Sequence, residues 1–499
     1  MSLRALRIHP ADDVAVAHVR LPAGSSAAVG GTVRTVVEDI PSGHKFAWRA
    51  IRAGESVLKY GQPIGRARED IRPGAWVHTH NLASALEERA APVFRSPAPP
   101  PAESAGAAPE FEGFLRADGS VGTRNEIWII PTVGCVNAPA RRIAEIARAD
   151  AASFLPDGIQ AFEHPFGCSQ LGDDLEKTRR ILAALIRHPN AGGALVLGLG
   201  CENNRLAELI EAAGPADPAR LRYFNAQDAD DEIEAGAAAV RDLAQAARAD
   251  RRVPRPLSDL VIGLKCGGSD GFSGLSANPV VGRVADRLIG YGGGALLTEV
   301  PEMFGAERSL LERAVDETVF RRILGLIDGF KGYFLGHRQP IHENPSPGNR
   351  EGGITTLEEK SLGAVQKGGQ SPVRRVLEYG ERSPAPGLAL VEGPGNDGVS
   401  STALAAAGAG VLLFTTGRGT PYGAPVPTVK ISSRTDLFRR KPGWIDFDAG
   451  GVLEGAESMA AAADRLFGRL LDVASGRTRT KNETNGARAL DIWKGGVTL

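Results

Sequence analysis

The feature that most restricts how this chain can fold is the stretch from about residue 90 to 110, which reads APVFRSPAPPPAESAGAAPE at its core. Rich in Pro and Ala and without periodicity, it can bury no core and acts as a flexible, partly extended linker. The 499 residues therefore fold as separate units on either side of it, in keeping with their number. Upstream, short apolar runs (VAVAHVRL, HKFAWRAI, SVLKYGQPIG, WVHTHNL) alternate with Gly and Pro. They are too short for packed helices and predict a small all-β module over 1–89. Downstream, strand-like runs (EIWIIPTVG, ALVLGLG, LVIGLK) alternate with helical patterns such as PARRIAEIARAD and VVGRVADRLIG. That alternation predicts βαβ units and a largely parallel sheet. Near the end GLALVEG, PGNDG, STALAAAGA and VLLFTTG repeat the strand–turn–helix–strand order. The Arg- and Pro-rich ARADRRVPRP near 250 marks a seam. The expected fold is thus a multidomain α/β protein: a β module at 1–89, a linker at 90–110, and a Rossmann-like α/β region of two lobes, 111–252 and 253–499.

The charge balance, a net of -1 with 23% charged residues, gives no electrostatic reason to expect nucleic acid or an anionic membrane as partner. There is no signal-peptide pattern and no apolar run long enough to span a bilayer, so a cytoplasmic location is expected. Four cysteines in such a chain predict reduced thiols rather than a disulfide framework.

All four cysteines stand in glycine-rich polar turns just after strand-like segments: IWIIPTVGCVN (Cys135), QAFEHPFGCSQLG (Cys168), ALVLGLGCENN (Cys201) and LVIGLKCGGSDG (Cys266). Loops at the carboxyl ends of strands in open α/β sheets converge on one site, and core packing explains such placement poorly. A second polar cluster is VHTHN. Residues two apart on a strand share a face, so His78 and His80 are expected side by side, a chelating pair for a first-row divalent metal; a polar surface strand is the plainer alternative. His44 and Lys45 lie in the same module. After Lys265 and Cys266, a Gly-Gly turn with Ser269 and Asp270 can cradle an anion or simply start a helix. EGPGNDGVSS offers Asn396 and Asp397 at a similar turn. Residues 336–369 form a long polar stretch, functional or disordered by its length. Arg116 and Arg124 precede the first α/β strand, where an arginine fork suits a carboxylate.

Taken together, these segments resemble the altronate dehydratase and galactarate dehydratase family of sugar-acid hydro-lyases. The resemblance runs through IPSGHKFAWRAI, VLKYGQPIGRA, VHTHNL, GFLRADGSVGTRNEIWIIPTVGCVN, LKCGGSDGFSGLSANPVVGRVADRLIGYGG, TEVPEMFGAE, REGGITTLEEKSLGAVQKGG and TTGRGTPYGAPVPTVKIS. Overall length is nearer the altronate branch. The resemblance implies a SAF-type β-clip module, then an α/β catalytic region. It also implies loss of water from a polyhydroxy acid to give a 2-keto-3-deoxy acid, with a requirement for Fe2+ or Mn2+. A related branch eliminates sulfite from sulfolactate, so sulfo-lyase activity is an alternative, and a sugar-acid binding or regulatory protein is the non-enzymatic one.

Such a reaction creates an aci-carboxylate and expels a poor leaving group. It calls for concentrated positive charge, a base for C2 and an acid for the departing oxygen. Metal binding is assigned to His78 and His80, with Cys135, Cys201 and Cys266 as ligands in an iron or iron–sulfur version. His44, Lys45, Lys265 and Arg124 serve as base or carboxylate holders. Asn81, Ser269, Asp270, Asn396 and Asp397 bind substrate, and the general acid is unassigned. The linker permits the β module to close over its own chain or, in a homo-oligomer, over a neighbour's.

Overall fold

The structure is a computed structural model that describes residues 4–29, 31–86, 93–94, 109–151, 155, 157–383 and 386–496. Nearly all of the expected linker lies outside the described residues. The N-terminal module is built of antiparallel strands, as its short apolar runs predict. Ala5–Leu6, Val14–Ala17, Lys45–Ala47 and Trp76–Val77 form one sheet; Ser56–Lys59, Gln62–Ala67 and Leu82–Ala83 form another. The strand Lys45–Ala47 is buried on both faces. Phe46 joins the module's own core with Val36 and Trp48, whereas Ala47 joins the large core shared with the rest of the chain. The two-residue period of a strand then sends Lys45 the same way as Ala47, out of the module and into the neighbouring α/β region.

The downstream region carries two parallel sheets. In the smaller, β1 (Glu126–Pro131), β2 (Ile159–Ala161), β3 (Ala191–Gly198) and β4 (Leu221–Asn225) lie in the order β2-β1-β3-β4. Ile127, Ile129, Leu195 and Leu197 pack with helices α1 (Asn137–Ala151) and α4 (Glu232–Ala247). Trp128, Ile130 and Val196 face the other way, toward α2 (Gly172–Ile186) and α3 (Leu206–Ala213). Both faces are covered, which is why these strands read as unbroken apolar runs. The chain enters and leaves this unit through one clasp, where Glu110–Leu115 pairs antiparallel with Val253–Pro256. The Arg- and Pro-rich seam is thus itself a strand.

The larger sheet holds β5 (Val261–Cys266), β6 (Gly294–Leu297), β7 (Val373–Leu377), β8 (Gly387–Val391), β9 (Val411–Thr416), β10 (Thr428–Ser432) and β11 (Phe447–Asp448), ordered β7-β8-β6-β5-β9-β10-β11. Helices α5 (Ala277–Gly290) and α7 (Asp397–Ala406) are among those that cover it, while α6 (Leu357–Ala364) packs against the module strand Gln62–Ala67. The chain leaves β5 toward β6 and returns on its other side as β9, so the strand order reverses beside β5. Ligands bind at the carboxyl ends of strands at such a reversal. The stretch 336–369, expected as a functional or disordered loop, is ordered: it includes the helix Pro347–Glu351 and α6, with Glu358, Glu359 and Lys367 buried. Among the described residues, no helix is long and apolar enough to cross a membrane.

Candidate active site

At the reversal point β5 ends in Lys265 and Cys266, both fully buried. The turn after β6 supplies Glu299, in the left-handed region at φ 70°, a costly conformation for a residue with a Cβ and one that gathers at functional sites. One turn later comes Glu302. The Cys266 thiol lies 2.9 Å from Glu302 Oε2 and 3.6 Å from Glu299 Oε2. One ligand atom from each of these three side chains lies within 4.8 Å of the others. Three lysines balance them. Lys265 donates to Glu299 and, at 2.8 Å, to Asp397; Lys360 reaches Glu302 at 3.0 Å; Lys367 Nζ stands 2.7 Å from the sulfur and 3.5 and 3.8 Å from the two carboxylates.

The electrostatics follow from burial and these neighbours. Burial, then Glu299 and Glu302, push the Cys266 thiol far up. Burial works against the charge on Lys265, but Glu299 and Asp397 outweigh it and hold the ammonium above the usual lysine value. Glu302 drops to about 2 despite burial, because Lys360 and Lys367 face it. A sulfur with two carboxylates is a donor set that suits iron or manganese, and the Lys367 ammonium now stands among these donors as the cation.

A second charged nest lies where the β module docks. Lys45 Nζ donates to Glu359 Oε2 at 2.8 Å, to the Gly353 carbonyl at 3.3 Å and to Thr355 Oγ1. Lys59 donates to the other oxygen of Glu359, also at 2.8 Å. Burial brings Lys45 down to about 8; Glu359 opposes the shift and Lys59 adds to it. The two nests are joined through α6, where Glu359 serves one and Lys360 the other. Indole N–H only donates, so Trp76 Nε1, 3.2 Å from His44 Nδ1, makes that nitrogen the acceptor. His44 Nε2 then carries the proton and donates to the Glu351 carbonyl at 3.0 Å.

The histidine pair departs from expectation. The strand ends at Val77 and 78–81 is a turn closed by Leu82 N donating to the His78 carbonyl. His78 is buried, stacks on Trp76 at 5.3 Å and meets Thr355 Oγ1 through Nδ1 at 3.0 Å; His80 is exposed. Among the described residues no third His, Cys, Asp or Glu donor completes a metal group with this pair. Asn81 shapes the turn, accepting from His78 N and donating to the Trp76 carbonyl.

Other expected residues divide between site and scaffold. Asp397 is the half-exposed end of the Lys265 nest. Asn396 caps α7, accepting from Gly398 N and Val399 N. The Ser269 carbonyl accepts from Asn349. Asp270 Oδ1 accepts from Phe272 N, Ser273 and Ser433, while its Oδ2 is buried without a partner and burial raises its pKa. Arg124 is buried far from this site, its guanidinium bidentate on Glu483 at 2.6 and 3.1 Å. Arg116 likewise binds Asp250 and Asn125. Cys135, Cys168 and Cys201 are exposed on the smaller sheet, apart from Cys266.

Glu299, Glu302, Glu359, Lys59, Lys360 and Lys367 were not singled out from the sequence. The acids of LLTEVPEMF and the lysine of SVLKYG, set among apolar residues, were the available signal, since a buried charge needs a partner.

Three family models match consecutive stretches: altronate/galactarate dehydratase SAF domain over residues 3–85, D-galactarate dehydratase/altronate hydrolase second domain over 113–248, and D-galactarate/altronate dehydratase C-terminal over 257–498. The chain is 48% identical over 503 residues to an altronate dehydratase of Escherichia coli (strain K12), with 99% of each chain covered. It is 47% identical over 495 residues to an altronate dehydratase of Bacillus subtilis (strain 168), again covering 99% of each. To the galactarate dehydratase (L-threo-forming) of Escherichia coli (strain K12) it is 34% identical over 519 residues, covering 96% of this chain and 94% of that one.

Proposed function

The chain belongs to the altronate/galactarate dehydratase family, a group of hydro-lyases acting on sugar acids, and from that premise we propose that it removes water from altronate to leave a 2-keto-3-deoxy acid. The observation that carries the choice of substrate is the gap between 48% identity to an altronate dehydratase and 34% to a galactarate dehydratase, each over nearly the whole chain.

In this reading the two nests divide the work. Lys45, held at about 8 by burial, is neutral in an appreciable fraction near neutral pH and takes the C2 proton. Lys265, whose ammonium persists, answers the negative charge that grows on the substrate carboxylate. Asp270 has a buried carboxyl oxygen without a partner and a raised pKa, so it is protonated more readily than an ordinary aspartate and donates to the leaving hydroxyl. Both flank one turn: Lys45 bonds the Gly353 carbonyl, and a Cβ on Gly352 would lie 3.0 Å from Asp270 Cβ. Arg350, two residues earlier, keeps a buried Nε without a partner and is a candidate to receive the substrate carboxylate. Cys266, Glu299 and Glu302 would hold the Fe2+ or Mn2+, with Lys367 yielding its place. When bound, such an ion withdraws electrons from carboxylate and hydroxyl.

The segments 1–89, 90–110, 111–252 and 253–499 are taken as module, linker and two Rossmann-like lobes, a division supported by the three matched stretches. Free thiols fit a reducing, cytoplasmic setting. Purified chain is to be offered altronate, galactarate and sulfolactate, with ferrous ion, and 2-keto acid and sulfite measured. Altronate is expected to give the highest kcat/KM, and activity is expected to fall on chelation and return with Fe2+ or Mn2+. Preference for galactarate, or release of sulfite alone, sinks the reading.

A further inference from the structure

Cys135, Cys168 and Cys201 take no part in either nest. All three are exposed, so filling apolar space, the common use of a free cysteine, does not account for them. Each follows a glycine in the loop at the carboxyl end of one of three adjacent parallel strands, β1, β2 and β3. The registers Ile129↔Ala161 and Pro131↔Leu197 bring those strand ends to one level.

The three loops are laced together by main chain. Gly134 N donates to the Phe166 carbonyl at 2.9 Å, and Asn204 N to the Gly167 carbonyl at 2.9 Å. Asn204 Nδ2 reaches the Thr132 carbonyl at 3.0 Å, and Ser169 N donates to Asn203 Oδ1 at 2.8 Å. The first two loops touch reciprocally. A Cβ on Gly134 would stand 3.0 Å from the His164 carbonyl oxygen, and one on Gly167 2.1 Å from that of Thr132. Side chains are thus excluded beside two of the cysteines so that the loops can close on each other. A cleft of about 770 Å³ opens at Cys201, lined also by Gly200, Glu202, Asn203 and Arg205. Asn204, on the same loop, keeps a buried Oδ1 without a partner.

The spacing of the sulfurs argues against a single ion. At least one pair lies more than 4.8 Å apart, because the three form no group within that distance. A single tetrahedral ion with metal–sulfur bonds of about 2.3 Å holds its thiolates only about 3.8 Å apart. A polynuclear cluster takes one thiolate per iron and spans a wider rim. We propose that Cys135, Cys168 and Cys201 ligate an iron–sulfur cluster of the four-iron class, leaving one iron without a cysteine. The remaining cysteine, Cys266, ends β5 of the other sheet and is no part of this ligand set. The proposal goes beyond the dehydratase reading and does not depend on it.

The full chain, kept anaerobic, is to be incubated with ferrous ion, sulfide and a thiol reductant, desalted, and assayed for iron, acid-labile sulfide and visible absorption. About four irons and four sulfides per chain are expected, with a broad visible band that dithionite bleaches. The triple variant Cys135→Ser, Cys168→Ser, Cys201→Ser loses the sulfide and the band while its circular dichroism is unchanged; Cys266→Ser keeps both. Iron without sulfide, equal sulfide in the triple variant, or loss on Cys266→Ser overturns the proposal. Keto-acid formation from altronate is followed in parallel. Chain that makes keto acid but takes up no sulfide on reconstitution sinks the cluster and spares the dehydratase, whereas a cluster in chain that never makes keto acid does the reverse.

Discussion

Both parallel sheets place cysteine at the carboxyl ends of their strands, yet the surroundings are opposite. At β5 of the larger sheet the thiol is buried among three lysines and two glutamates. On the smaller sheet three thiols stand exposed in loops of glycine and amide side chains. The same topological position thus yields a charged, dry nest in one case and an open rim in the other. What differs is the insertion that follows the strand. The larger sheet receives Glu302 after β6 and α6 from the stretch 336–369, whose charges close over the strand end, whereas the smaller has only short loops.

The contrast can be broken most directly at Lys45. Lys45→Met is expected to lower kcat on the order of 10²- to 10⁴-fold, the usual weight of a general base, without changing the circular dichroism. In the unaltered chain kcat is expected to climb with pH and level off above about 8, where Lys45 would have lost its proton. A pH-independent rate from 6 to 9 would remove Lys45 from the reaction. Next comes Glu359→Ala, which strands the Lys45 and Lys59 ammonium groups in the interior. Leaving a buried charge without its partner costs about 3–5 kcal/mol, measurable by urea unfolding, and a loss under about 1 kcal/mol would show that water reaches the nest.

Acid should separate the sheets further. Glu302 and Glu359 sit at about 2 when folded, below the ordinary glutamate value. Their stabilising effect is therefore complete above about pH 4.5 and shed as pH falls toward 2. Asp446, raised to about 6 by burial, acts oppositely, adding stability as pH falls from 6 toward 4. Hydrogen exchange at pH 3 should open amides of β5 and α6 before those of β1 and β3. The smallest effect expected is from Cys201→Ser without metal: an exposed substitution changes stability by about 0.5 kcal/mol or less. A larger loss would mean that the rim is held by its thiols rather than by its main chain.

Much of the architecture was legible because it is written in local period. The strand-helix alternation, the antiparallel module and the turn chemistry at each strand end all follow from residues near one another. The candidate site was legible where a residue type was out of place, as with Cys266 at a strand mouth; Lys45 entered only through the family resemblance, since by residue type it reads as a solvated surface lysine. It was not legible where meaning comes from a distant partner. Lys59 and Glu359 are 300 positions apart, and only the docking of the module reveals that Lys59 shares the Glu359 carboxylate with Lys45. Arg124 shows the converse. Its type suited a substrate carboxylate, but Glu483 claims it, a partner no local pattern announces. The cysteines group differently as well: Cys168 stands with Cys135 and Cys201, while Cys266 lies on the other sheet.

The antiparallel clasp of Glu110–Leu115 with Val253–Pro256 makes everything between them a cassette. Entry and exit are side by side, so excising it and rejoining the ends asks only for a tight turn, not for rerouting the chain. The buried Arg124–Glu483 and Arg488–Glu126 pairs are then the stitches that fasten this graft to its host.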